Sequence, residues 1–208
     1  MSTPPPSLPR LVTTRCVLRL GTTADADAIA RYYLDNRAAL APYEPRRPEG
    51  FYTPAYWQIR VALNRSQFEQ QQSACFFLFT PDEQRVIGAL NLTSISSYPF
   101  YAAQLGYSLA DAYWGQGYMR EALTTALAWA FEALNLHRIA ANHLPDNQRS
   151  AALLAKLGFQ REGYAKDYLL IDGVWRDHVL NALTRQDWVG RDLHVELIAN
   201  GHGHIPQA

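Results

Sequence analysis

Cysteine and methionine are scarce in this chain, with two of each among 208 residues. Cys16 and Cys75 stand in apolar segments, and no CxxC pair or cluster of Cys and His accompanies them. A disulfide scaffold needs more cysteines than this, and a structural zinc site needs its Cys and His ligands in closely spaced groups. We therefore expect two buried, reduced thiols, with a disulfide or a thiol nucleophile as alternatives, and we expect no metal.

Net charge and long apolar runs are also lacking. Lys plus Arg and Asp plus Glu both number 19, so no overall field attracts nucleic acid or an anionic membrane. No apolar run approaches the ~20 residues that span a bilayer, and the Met-Ser-Thr-Pro-Pro-Pro start has no apolar core of a signal peptide. These absences predict a soluble, cytoplasmic protein without a direct nucleic-acid site.

What is present is one pattern of strands and helices, over residues 10–188. Residues 1–9 are rich in proline and expected to be disordered, and residues 189–208 have little pattern and are expected to form a peripheral tail. Hydrophobic periodicity predicts strands over 11–20, 75–79, 85–94, 101–109, 138–143, 159–171 and 174–183, and helices over 22–36, 54–72, 118–134 and 147–157. Asp172-Gly173 predicts a tight hairpin between the last two strands.

This order predicts a single α/β (mixed α+β) domain, with a largely antiparallel sheet and helices on its faces. The stretch 37–53 is rich in proline, arginine and aromatic residues, and we expect a loop with at most one short turn. The aromatic residues of 43–57 are expected to be exposed, where a substrate or a second subunit can contact them.

The segment most suggestive of chemistry is WGQGYMREA at 114–122, where a strand leads into a helix. Backbone N–H groups at a helix start lack partners and can bind a pyrophosphate, assisted by the helix dipole. Glycines at 115 and 117 let that backbone approach the phosphates closely. A Walker A loop needs a Lys that is absent here, and Arg120 stands where a dinucleotide fingerprint has its third glycine. A plain tight turn is the alternative.

A second motif follows, with Asn147 and Ser150 at the start of one helix and Lys156-Leu157-Gly158-Phe159 at its end. Asn147 is well suited to be an N-cap. Together the two motifs resemble those of the GCN5-related N-acetyltransferases, although Ala112 replaces the Arg or Gln that begins their phosphate-binding motif. The resemblance spans residues 10–188.

Longer segments are similar to the Rim-type branch of that family: RAALAPYEP at 37–45, LGYS at 105–108, HRI at 137–139 and EGYAKDYLLIDGVWRDHVLNAL at 162–183. The resemblance implies acetyl-CoA as co-substrate and, as acceptor, the N-terminal alanine of a small-subunit ribosomal protein. It also implies a sheet whose central strands, 105–109 and 139–143, splay apart to admit the pantetheine.

The resemblance further implies the donor site. The residues expected to bind the cofactor are Tyr107, Ser108, Leu109, Gly115, Gln116, Gly117, Tyr118, Met119, Arg120, Asn147 and Ser150. Backbone groups near Tyr107 and Leu109 would pair with the pantetheine amides, and Ser150 would donate a hydrogen bond or proton to the leaving thiolate. Tyr107 and Tyr168 are alternative proton donors.

The base is inferred from chemistry. An α-amine has a pKa of ~7.7–8.0 against ~10.4 for lysine, so it needs only a weak base. Glu44, in the Tyr43-Glu44-Pro45 segment, is the first candidate, with a plain ion pair to Arg46 or Arg47 as the alternative. Asp177 is the second, with an ion pair to Arg176 as its alternative role.

Two other functions fit the same cofactor site. One is acetylation of a small amine such as an amino acid, a polyamine or an antibiotic, which would need a closed acceptor pocket instead of an open groove. The other is a non-catalytic CoA-binding factor in ribosome assembly. The sequence leaves open whether the chain is a monomer or a homodimer.

Overall fold

The structure, a computed structural model, describes residues 8–188. The predicted tail and nearly all of the predicted N-terminal segment lie outside those residues. The strands are Arg10–Val12 (β1), Val17–Leu20 (β2), Ala74–Phe79 (β3), Val86–Ser96 (β4), Ala102–Leu109 (β5), Arg138–Ala140 (β6), Gln160–Ile171 (β7) and Val174–Thr184 (β8). The α-helices are Ala26–Asp35 (α1), Arg37–Leu40 (α2), Pro54–Glu69 (α3), Tyr118–Glu132 (α4) and Gln148–Lys156 (α5).

The strands form one sheet in the order β1-β2-β3-β4-β5-β6-β8-β7. Within this sheet only β5 and β6 pair in parallel, because α4 crosses over between them. The other neighbouring strands are antiparallel. The predicted mixed, mostly antiparallel sheet with flanking helices is therefore confirmed.

Both faces of the sheet are covered, as β3 shows. All of its side chains are buried, and successive side chains point to opposite faces. Phe76 and Leu78 pack into a core that includes α4. Phe77 and Phe79 pack into a second core that includes α1. Helices on both sides thus hold the central strands in place. The candidate site lies at the end of the sheet where the C-terminal ends of β3 and β5 are found.

The prediction of one strand over 11–20 is wrong. The chain makes a hairpin, and the Thr13 hydroxyl accepts a hydrogen bond from the Cys16 N–H at 3.0 Å, while the Thr13 N–H donates to the Cys16 carbonyl at 2.9 Å. A threonine side chain that bonds to nearby backbone competes with a straight strand. The turn brings Arg15 to the sheet edge. Cys16 and Cys75 are buried free thiols, as expected.

The prediction of a loop over 37–53 is also wrong, since it contains α2 and 3₁₀ turns at Ala41–Tyr43 and Glu49–Tyr52. Phe51 and Trp57 are buried, contrary to the expected exposure. Trp57 stacks on Tyr33 with ring centroids 5.0 Å apart. These rings pack against α1 because they shield the apolar area of the second core from water.

The expected strand over 138–143 ends at Ala140, and His143 makes only an isolated bridge to Val179. β5 and β6 therefore pair over Ala102–Gln104 and then diverge. Alternate residues of a strand direct their backbone groups to opposite neighbours. Since the Tyr101 carbonyl accepts from the residue 137 N–H on the β6 side, the backbone of Tyr107 also faces this gap.

Candidate functional site

The glycine turn at the start of α4 has a conformation suited to anion binding. Gly115 and Gly117 have φ values of +73° and +85°, a left-handed region that favours glycine. Among the described residues, no acceptor takes a hydrogen bond from the backbone N–H groups of residues 116–120. These free donors lie at the positive end of the helix dipole. Gln116, Tyr118, Met119 and Arg120, which the sequence predicts to bind the cofactor, lie on this turn and the helix start, and the Arg120 side chain is exposed.

Arg15 holds this turn from the side. Its Nη1 donates to the Gln116 carbonyl at 2.9 Å and its Nε to Glu121 Oε2 at 2.7 Å. Its backbone N–H donates to the other Glu121 oxygen at 2.9 Å, and its guanidinium lies 4.3 Å from the centre of the Tyr118 ring. Burial raises the pKa of Glu121, but the hydrogen bonds around it, including those from Arg15, lower it on balance.

Tyr107 and Ser150 meet across the gap between β5 and β6. The Tyr107 and Ser150 hydroxyl oxygens lie 2.7 Å apart. Ser150 is placed by Asn147, whose side chain accepts the Ser150 N–H at 3.1 Å and so caps α5 as predicted. Burial raises the pKa of Tyr107 to about 12. The phenol is therefore protonated at neutral pH and can donate a hydrogen bond.

Ser108 and Leu109 are bound to other parts of the fold. The buried Tyr32 hydroxyl donates to the Ser108 hydroxyl at 2.9 Å, which ties α1 to β5. The Leu109 carbonyl accepts from the Trp114 ring N–H at 2.8 Å. The Leu109 carbonyl is therefore engaged, whereas its N–H, two residues from that of Tyr107 along the strand, is directed to the same side, toward the gap.

Arg149 contacts aromatic rings from two separate parts of the site, one beside the glycine turn and one beside Glu44. The Arg149 guanidinium lies 3.3 Å from the centre of a Trp114 ring and 5.5 Å from that of the Tyr43 ring. Arg149 precedes Ser150, and Tyr43 precedes Glu44. The chain segments of the two catalytic candidates therefore face each other across this stack, although they lie far apart in sequence.

Glu44 lines a cavity of about 710 Å³ together with Arg37, Arg46 and Asp172, among others. Its carboxylate pairs with Arg47 at 3.0 Å, one of the two ion pairs considered from sequence. The backbone carbonyl of Glu44 accepts from the Asp172 N–H at 3.2 Å. The turn of the β7–β8 hairpin thus supports the segment that carries Glu44, and both border the cavity.

The other acid and base candidates have structural partners. Asp177 accepts from the Tyr164 hydroxyl at 2.6 Å and from the residue 167 N–H at 2.9 Å, and these bonds lower its pKa. The suggested pair with Arg176 is not formed, since Arg176 binds Asp146 at 3.1 Å. The Tyr168 hydroxyl accepts from an Asn142 amide at 3.0 Å.

Over residues 8–188 the structure shows no group of three or more Cys, His, Asp or Glu that could hold a metal ion. In the same part of the chain, no helix is both long and apolar enough to cross a membrane.

Sequence reasoning missed Arg15, Tyr32 and Arg149. Each contacts the candidate site through a partner that is distant along the chain, such as Gln116 for Arg15. Local periodicity carries no signal for such contacts. The Arg15 position becomes informative only once the hairpin at 13–16 is known, because that turn sets it beside α4.

The splayed strands, the glycine turn and the hydroxyl pair define a class, the acetyltransferases of the GNAT type. Residues 15–160 match the acetyltransferase (GNAT) domain family, and the chain belongs to that family. It is an N-acetyltransferase. The chain is 49% identical over 180 residues to the ribosomal protein uS5-alanine N-acetyltransferase of Escherichia coli strain K12, a match that covers 86% of this chain and 92% of that protein.

Solved structures of related enzymes are also similar to this chain. The ribosomal-protein-S5-alanine acetyltransferase of Vibrio fischeri is 39% identical with a TM-score of 0.82, covering 86% of this chain and 98% of that one. RimJ of Mycobacterium smegmatis, in complex with a CoA disulfide, is 31% identical with a TM-score of 0.79 and covers 88% of each chain.

Proposed function

We propose that this enzyme transfers the acetyl group of acetyl-CoA to the N-terminal alanine of ribosomal protein uS5. The observation that carries the acceptor is the 49% identity to the Escherichia coli uS5-alanine enzyme over 86% of the chain. Its ribosomal acceptor implies a cytoplasmic site of action.

The donor is proposed to lie along the sheet gap. Its pyrophosphate binds the free N–H groups that follow Gly115, and Arg120 adds positive charge. Its pantetheine lies beside Tyr107, whose backbone faces the gap, and Leu109 supplies an N–H. No step requires a metal among these residues, because the protein groups alone can bind the cofactor and orient its thioester.

The chemistry is direct attack of the neutral amine on the thioester carbonyl. The nitrogen forms its bond to the acetyl carbon, the carbon–sulfur bond breaks, and the sulfur leaves as a thiolate. An amide N–H in the gap stabilises the negative charge on the thioester oxygen. Tyr107 and Ser150 stabilise the thiolate by hydrogen bonding and relay a proton to sulfur, and the pair regains that proton, through water, from the amine nitrogen, which loses it as the amide forms.

Glu44 is proposed as the base that removes the proton from the α-ammonium group through water. Its carboxylate lines the cavity and contacts Arg47 at 3.0 Å. The α-amine is easier to deprotonate than lysine by about 2.5 pKa units, or roughly 3.4 kcal/mol. A carboxylate that acts through water is therefore a sufficient base for an N-terminal substrate, whereas a lysine side chain would need a stronger one.

The test compares two peptides by the release of free thiol from acetyl-CoA. One begins with the N-terminal alanine of uS5, and the other is the same peptide with a blocked N-terminus and an added internal lysine. We expect turnover on the free N-terminus alone. Equal turnover on both peptides, or none on either, would contradict the proposed acceptor and direct the search to small amines.

A further inference from the structure

Arg15 is bonded to the glycine turn far more extensively than a surface arginine needs to be. It reaches the turn with two guanidinium bonds and one backbone bond. Its Nη2 also lies 3.3 Å from where a Cβ on Gly117 would stand. These contacts join the β1–β2 turn to the first turn of α4, about a hundred residues further along the chain.

The negative charge of Glu121 requires a cationic partner if an anion is to bind at this helix start. A carboxylate in the first turn stabilises an isolated helix through the helix dipole. The same carboxylate repels an anion bound at that helix start, because like charges within a few ångströms oppose each other. An ion pair with Arg15 makes the local charge neutral and engages both Glu121 oxygens.

The Gln116 carbonyl also requires a partner that fixes its orientation. It lies between two glycines, which have the greatest backbone freedom of any residue. The bond from Arg15 fixes the orientation of the peptide unit that joins Gln116 to Gly117. Fixing that unit also fixes the direction of the Gly117 N–H, since both groups lie in one plane.

We propose that Arg15 is a positioning residue of the donor site, which holds the glycine turn in its pyrophosphate-binding form and neutralises Glu121. The inference rests on the proposed use of acetyl-CoA. It assigns to the β1–β2 hairpin a role in cofactor affinity, although the hairpin lies at the far edge of the sheet from the β5–β6 gap.

The test measures CoA binding by calorimetry, without any acceptor, for Arg15→Gln, Glu121→Gln and the double variant. We expect the Kd for CoA to rise about tenfold in Arg15→Gln, because a charge-assisted bond is lost and Glu121 is left unpaired. The double variant should recover part of that loss, since the repulsive carboxylate is gone. Arg10→Gln is the matched control, an arginine of the same hairpin paired with Glu83 at 2.6 Å.

A truncated acetyl donor distinguishes a specific loss of pyrophosphate binding from a general loss of folding or activity. S-acetylpantetheine lacks the pyrophosphate, so Arg15→Gln should leave kcat/KM with this donor near the parent value while acetyl-CoA loses about tenfold. Unchanged CoA affinity in Arg15→Gln, no recovery in the double variant, or an equal loss with both donors would each overturn the proposal. Because calorimetry needs no acceptor, a wrong peptide assignment would leave the binding result intact.

Discussion

Tyr107 and Ser150 share one hydrogen bond of 2.7 Å, in which either oxygen can donate. Two hydroxyls so placed act as a unit, because each orients the proton of the other. With the Tyr107 pKa at about 12, the pair retains its protons at neutral pH. It is suited to stabilise a thiolate and unsuited to remove a proton from an amine.

We expect Tyr107→Phe and Ser150→Ala each to lower kcat about 10²-fold, the lower end of the usual contribution of an acid catalyst. The low end applies because a thiolate is already a good leaving group. Steady-state kinetics with saturating acetyl-CoA measure this effect. The double variant should be no slower than the slower single variant. Multiplicative losses would show that the hydroxyls act separately, and Tyr168→Phe serves as the control phenol.

Glu44 gives the second residue-scale prediction. Glu44→Gln removes the base but keeps the size of the side chain, so kcat/KM for the peptide should fall about 10²-fold. The loss should shrink as the pH rises toward 9, because the free amine then becomes abundant without help.

Asp177→Asn is the matched control for Glu44, since both are carboxylates that the sequence suggests as the base. Its bonds from Tyr164 and the residue 167 N–H lower its pKa, which makes it a weak base. We expect little change in its pH–rate profile. A larger loss in Asp177→Asn than in Glu44→Gln would transfer the base role to Asp177.

At the scale of elements, the turn before α4 depends on its glycines for two different reasons. An alanine at 115 would meet no atom within 4 Å, so only its φ of +73° is strained. An alanine at 117 has φ at +85° and would also come within 3.3 Å of Arg15. The second change therefore disturbs both the backbone and its support.

We expect Gly115→Ala to lower the free energy of unfolding by roughly 1–2 kcal/mol, the cost of a left-handed residue. Gly117→Ala should cost more and should raise the KM for acetyl-CoA further. Urea unfolding and donor titrations measure the two effects. Gly50→Ala is the control, since that position has no neighbour within 4 Å and no left-handed φ. Equal KM values for the two turn variants would contradict the role given to the Arg15 contact.

The elements also show what a sequence can predict. The alternation of Ala102–Leu109 and the helical periodicity of Tyr118–Glu132 gave correct elements, because both signals are local. The strand over 11–20 was wrong because the Thr13 side chain bonds to Cys16 and turns the chain. The buried position of Trp57 was missed because it depends on the distant ring of Tyr33.

The candidate site was likewise predictable only in part. The positions of glycines 115 and 117 at a turn and of Asn147 at a helix cap could be predicted from the sequence, because each depends only on the residues at a helix start. The contacts of Arg15 and Arg149 depend on the order of strands in the sheet. No local pattern reports that order.

At the scale of the whole molecule, the half-buried phenol of Tyr107 links the site to stability. The folded pKa of Tyr107, about 12, lies above the ordinary value of 10.0. Its contribution is therefore fully present below pH 10 and is lost as the pH rises toward 12. Two pKa units correspond to about 2 to 3 kcal/mol.

We expect the free energy of unfolding to fall between pH 10 and pH 12, and to fall less steeply in Tyr107→Phe. Urea titrations at several pH values measure the two slopes. Burial also raises the pKa of Tyr32, so some alkaline sensitivity should remain in the variant. Identical slopes in the variant and the parent would contradict the inferred burial of Tyr107.

The short β5–β6 pairing has a consequence for deuterium uptake. Only Ala102–Gln104 of β5 pairs with β6, so the Tyr107 amide faces the gap instead of a neighbouring strand. In the free enzyme that amide should exchange its hydrogen quickly, even though it lies in the middle of the sheet. A bound pantetheine would occupy the missing strand's place and slow the exchange, which would make this amide an internal reporter of donor occupancy.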